Sequence, residues 1–134
     1  MQTSEPESRV VLITKEDNVR RAVHSTLEKA GFTILAASNA DSALRLCREV
    51  DAPIRLAIVD VGSGQIDEPE FLELLRQSAP GIRVLFMSNS SAPGALEDMG
   101  QPWKGGRVLP KPFRRAQLLG KVLEVMSEPL AFTA

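Results

Sequence analysis

Cysteine is nearly absent from this 134-residue chain: Cys47 stands alone, so no internal disulfide can staple the fold. No stretch approaches the roughly 18 consecutive apolar residues of a membrane span, and Met1 to Ser8 lack the charged-then-apolar order of a secretory leader. Together these absences point to the reducing cytoplasm and away from a membrane. A basic surplus is missing too. Sixteen Lys and Arg face seventeen Asp and Glu, a formal charge of -1, which removes the electrostatic footprint of a direct nucleic-acid binder. What remains, 43% hydrophobic and 25% charged residues, is the composition of a globular domain. Its length suits one domain with its own core.

Residues 1–8 are polar and acidic with a proline, and read as a flexible tail. Val10-Val11-Leu12-Ile13 is an unbroken, β-branched-rich run, the pattern of a strand buried on both faces. From Asn18 the period changes to that of a helix, with Val19, Ala22, Val23, Leu27 and Ala30 on one side, Asp17 as N-cap and Gly31 as terminator. The unit recurs. Phe32 to Ala36 reads as a strand, and Asn39 caps a helix striped with Ala40, Ala43, Leu44, Cys47 and Val50. A third strand, Leu56 to Val59, runs into Asp60 and the loop Gly62-Ser63-Gly64; Asp67 and Glu70 then begin a helix that turns Phe71, Leu74 and Leu75 inward. Ile82 to Met87 forms the fourth strand and Arg107 to Leu109 the fifth. Between them Pro93, Gly94, Gly100, Pro102, Gly105 and Gly106 allow only a short, frayed helix. Arg114 to Met126 is the last helix, with Leu118, Leu119, Val122, Val125 and Met126 inward, and residues 127–134 read as a tail or linker end.

Strands alternating with helices over residues 9–126 predict an α/β fold: a five-stranded parallel sheet covered on both faces, joined by right-handed crossovers. In such sheets chemistry gathers outside the carboxyl ends of the strands. The residues placed there are Thr14-Lys15-Glu16, Asp60, Ser88-Asn89 and Pro110-Lys111-Pro112. A carboxylate nucleophile at Asp60, a hydroxyl at Ser88 and an ammonium at Lys111 are what an in-line phosphoryl transfer needs to receive the group and neutralise its oxygens. The spacing is equally compatible with a loop cap, a helix cap and a solvated lysine.

The sequence resembles the receiver domain of bacterial two-component response regulators across residues 9–126. The resemblance is carried by Ala57-Ile58-Val59-Asp60, by Ser88 28 residues later, and by Leu109-Pro110-Lys111-Pro112-Phe113, whose lysine follows Ser88 by 23 residues. It implies a flavodoxin-like three-layer sandwich and a signalling role in which Asp60 accepts a phosphoryl group from a histidine kinase or a histidine phosphotransfer protein. Lys111 would pair with Asp60 and Ser88 would move to bind a phosphate oxygen. The Lys111-Pro112 bond is cis in that family. No enzymatic activity is implied beyond the domain's own phosphoryl transfer and dephosphorylation. The family also implies a Mg²⁺ site, here built from Asp60, the backbone of Gly62 and Glu16, and a surface on the fourth helix, fifth strand and fifth helix that often mediates homodimers.

Three departures from that pattern bear on function. The acidic pair that follows the family's first strand aligns with Thr14-Lys15, since Lys15 lies 16 residues before Gly31, where the second acid would be. A hydroxyl and a cation in place of two acids weaken an octahedral oxygen site for Mg²⁺ severely; Glu16 compensates in part from the next position, and Lys15 beside Asp60 favours the ionised carboxylate. Val108 replaces the switch aromatic three residues before the lysine and is too small to report on Ser88. Gly62-Ser63-Gly64 replaces a more rigid loop. These departures favour a second reading, a phosphorylation-independent pseudo-receiver that serves as an interaction module. A flavodoxin-type carrier shares the architecture but needs a phosphate cradle after the first strand, which Lys15-Glu16-Asp17 does not supply. With no output domain in the chain, it either works alone or is one module of a larger regulator or hybrid kinase. His24 reads as a surface residue, Cys47 as core, Arg114 and Arg115 as solvated surface, and Trp103 as a packing residue or a partner anchor.

Overall fold

The computed structural model describes residues 8–49, 54–60, 68–79, 81–88, 107–111 and 113–127. Its elements are β1 (Ser8–Ile13), α1 (Asp17–Lys29), β2 (Phe32–Ala37), α2 (Ala40–Glu49), β3 (Ile54–Asp60), α3 (Glu68–Ser78), β4 (Arg83–Ser88), β5 (Arg107–Pro110) and α4 (Arg115–Ser127). All strand pairs are parallel, in the order β2-β1-β3-β4-β5. This is the flavodoxin-like sheet. The chain leaves β1 for β2 on one side and returns to β3 on the other, so the crevice of the strand order opens at the carboxyl ends of β1 and β3.

Alternation along the strands divides the interior in two. Val11, Ile13, Ala57, Val59, Val84 and Phe86 face one side and pack with Ala43 and Leu44 of α2 and Phe71 and Leu75 of α3. Val10, Leu12, Leu56, Ile58, Leu85, Met87 and Leu109 face the other, against Val19, Val23 and Leu27 of α1 and Leu118, Val122 and Val125 of α4. Strands buried on both faces explain the unbroken apolar runs. Glycine at position 31, with φ of +101°, turns the chain from α1 into β2 at a conformation that a β-carbon would strain.

Several boundaries move from the sequence reading. Asp17 lies inside the first turn of α1 and Glu16 takes the capping position, with its carbonyl accepting the Arg20 N–H. Thr14 causes the earlier start: its hydroxyl oxygen accepts the Glu16 N–H at 3.1 Å, a local turn that prepares the helix one residue sooner. Asp17 instead pairs with Arg20. Ala30 is exposed because α1 has already ended. Leu74 is 36% exposed, since Phe71 and Leu75 set the buried face of α3 and Leu74 falls at its margin. The strand β4 begins and ends one residue later than the apolar run, β2 reaches Ala37, and β5 reaches Pro110. The last helix starts at Arg115, with the Arg114 N–H donating to the Gln117 side chain at 2.7 Å. Asn39 caps α2 as expected, accepting the Ser42 N–H at 2.8 Å. The tails at 1–7 and 128–134, Val50, the Asp67 start of α3 and the glycine-rich stretch before β5 lie outside the described residues.

One buried side chain on α1 has no hydrogen-bond partner among the described residues: the Thr26 hydroxyl. Thr26→Val keeps the shape and removes an orphaned donor, so it should stabilise the protein by about 1 kcal/mol. A urea midpoint unchanged or lowered in this variant would show that the hydroxyl is satisfied in solution.

Candidate functional site

Each residue of the site follows from strand parity. Leu12, Ile58 and Leu109 point into the cluster under α1 and α4. Thr14, Asp60 and Lys111 come two residues after them, on the same side of the sheet and at the crevice. The register places Ile13 beside Val59, so Thr14 and Asp60 emerge together from adjacent strands. Their side chains meet. Thr14 donates its hydroxyl proton to Oδ2 of Asp60 at 2.8 Å, and Lys111 brings its Nζ to 2.8 Å from Oδ1. Asp60 is fully buried, Thr14 is 1% exposed and the Lys111 side chain 6%. Glu16, half exposed, stands 3.3 Å from the same ammonium.

Thus Asp60 and Lys111, placed together by the sequence, are together in the structure, and Thr14 joins them as a direct hydrogen-bond donor. Parity from Leu12 carries that signal, although alignment to an acidic pair hides it. Lys15 does not stand where the sequence places it, beside Asp60. It is exposed and takes no part in the described contacts of Asp60; the cation on that carboxylate is Lys111, because Lys15 follows Thr14 by one residue and turns outward. Glu16 faces Lys111. The backbone of Ser88 ends β4 opposite Pro110, one residue before Lys111. Val108 is half-buried against the α2 and α3 side of the core. The Gly62-Ser63-Gly64 loop, Asn89, Trp103 and Pro112 lie outside the described residues.

Other candidate groups have ordinary places. His24 sits on the outer side of α1 with Nδ1 3.4 Å from Glu28. Cys47 packs at the edge of the core, where burial pushes its thiol above the usual range and the nearby Arg48 partly offsets that. No helix among the described residues is long and apolar enough to cross a membrane.

Among the described residues the site does not fit a magnesium ion. Receiver domains typically hold Mg²⁺ at acidic residues, and among the described residues no three of His, Cys, Asp and Glu converge. The two described carboxylates that would hold a cation, Asp60 and Glu16, both already face the Lys111 ammonium.

Comparison with known proteins agrees with this architecture. Residues 8–123 match the family described as the response regulator receiver domain. The sensor kinase CckA of Brucella abortus is 29% identical over 119 residues, covering 89% of this chain but only 12% of that kinase. The response regulator receiver protein CpdR of the same organism is 25% identical over 118 residues, 88% of this chain and 96% of CpdR. Among solved structures, the receiver domain of a hybrid histidine kinase CckA superposes with a TM-score of 0.73 at 27% identity, covering 90% of this chain and all of that one.

Proposed function

Because the chain belongs to the response regulator receiver domain family, we propose that it is a phosphoryl-accepting module of a two-component system, with Asp60 as the acceptor. The observation that carries this reading is the contact between Asp60 and Lys111, 2.8 Å apart in a buried crevice at the switch of the strand order. The donor would be a phosphohistidine of a histidine kinase or a histidine phosphotransfer protein. An Asp60 oxygen attacks phosphorus in line as the phosphorus–nitrogen bond breaks, and the bond's electron pair returns to the imidazole, which takes up a proton. Lys111 offsets the negative charge gathered on the equatorial oxygens. Ser88, at the end of the neighbouring strand, would offer its hydroxyl to one of them.

Intact mass after incubation with a small-molecule phosphodonor tests the reading. Wild type should gain a single phosphoryl adduct and Asp60→Ala none. A folded wild type that stays unlabelled beside a labelled control receiver would overturn it. That result would favour the second reading, a phosphorylation-independent interaction module, for which the Thr14 hydroxyl on Asp60, where the family carries an acid, is the specific support.

A further inference from the structure

Each oxygen of the Asp60 carboxylate is held by a side chain of the protein itself. A threonine hydroxyl has one proton. At Thr14 the oxygen accepts the Glu16 N–H at 3.1 Å, and the proton is committed to Oδ2 of Asp60. The other carboxylate oxygen holds the Lys111 ammonium, and Glu16 holds the same ammonium from its outer side. Two carboxylates therefore share one buried monovalent cation. A magnesium ion needs near-octahedral oxygen ligands close around it and gives up its water reluctantly. Entering here, it would have to expel a positive group buried to 6% exposure and would gain a neutral oxygen at Thr14 where a third carboxylate could have stood.

We propose that this receiver pocket is independent of divalent cations, with Lys111 as its resident positive charge and Thr14 as the residue that decides the matter. The hydroxyl does two things at once: it donates to Oδ2 of Asp60 and withholds the charge that would recruit a metal. The inference concerns the unphosphorylated protein, and it stands or falls separately from phosphoryl acceptance.

Calorimetric titration of the whole chain with MgCl₂ tests it. Wild type and Asp60→Asn should be alike, with no saturable heat in either. Thr14→Asp/Lys15→Asp, which supplies the two acids, should bind Mg²⁺ at least about tenfold more tightly than wild type. Saturable binding to wild type that disappears in Asp60→Asn would overturn the proposal. A folded Thr14→Asp/Lys15→Asp variant with no saturable heat would overturn Thr14 as the deciding residue. Should that variant fail to fold, the comparison of wild type with Asp60→Asn decides alone.

Discussion

Replacing Lys111 by methionine should lower the unfolding free energy by about 3–5 kcal/mol at neutral pH, the cost of removing one partner from a buried ion pair. Asp60 is fully buried and would keep its Thr14 hydrogen bond while losing the ammonium on its other oxygen. A neutral hydroxyl offsets far less of a carboxylate's desolvation than a cation does. The reverse deletion should cost less. In Asp60→Asn the ammonium retains Glu16, which is half exposed and draws it toward water. Lys111→Met/Asp60→Asn should recover much of the loss of Lys111→Met, because a buried pair replaced on both sides leaves no orphaned charge. Urea unfolding of the two single variants and the double variant gives the coupling directly. A Lys111→Met protein within about 1 kcal/mol of wild type would show that the carboxylate is solvated in solution.

Phe86→Ala should be comparably damaging, at about 3–5 kcal/mol, for a different reason. Phe86 is among the largest fully buried side chains, in a strand flanked by Val59 of β3 and Val108 of β5. It packs in the same cluster as Phe71 and Leu75 of α3. Val108 is itself small, so little can collapse into the space a lost ring leaves, and cavity cost rises with the volume that stays empty. Leu123→Ala is the contrast. Its side chain is 51% exposed on α4, and its removal should stay within about 0.5 kcal/mol. A thermal melt of both variants beside wild type checks the pair; similar losses would show that Phe86 is no more central than a surface leucine.

The sheet was legible in the sequence because its strands are buried on both faces, which produces runs such as Val10 to Ile13 that no amphipathic helix would show. Asp60 and Lys111 were legible for a related reason: Asp60 ends β3 and Lys111 follows β5 directly, each two residues after a core residue, Ile58 or Leu109. Thr14 was harder to read. An alignment asks which residue stands in a family's position, while a hydrogen bond depends on which way a side chain points, and only the register of β1 against β3 fixes that. Lys15 shows the same limit from the other side, since a charge adjacent in sequence to the Thr14 position is exposed to solvent. Helix ends slipped by a residue where local bonds compete with periodicity, as when Thr14 captures the Glu16 N–H and starts α1 early.

The three contacts that build the crevice join residues 46, 51 and 95 positions apart along the chain. Closing loops of that length costs entropy that no local turn repays, so contacts of this kind arrive with the sheet and not before it. In a chain growing from its amino terminus, Thr14 and Asp60 are available to each other as soon as β1 and β3 pair. Lys111 is made later and docks only when β5 takes its place at the sheet edge beside β4. The crevice is therefore complete only with β5 in place, and a sheet without that edge strand would hold the Asp60 carboxylate without its cation.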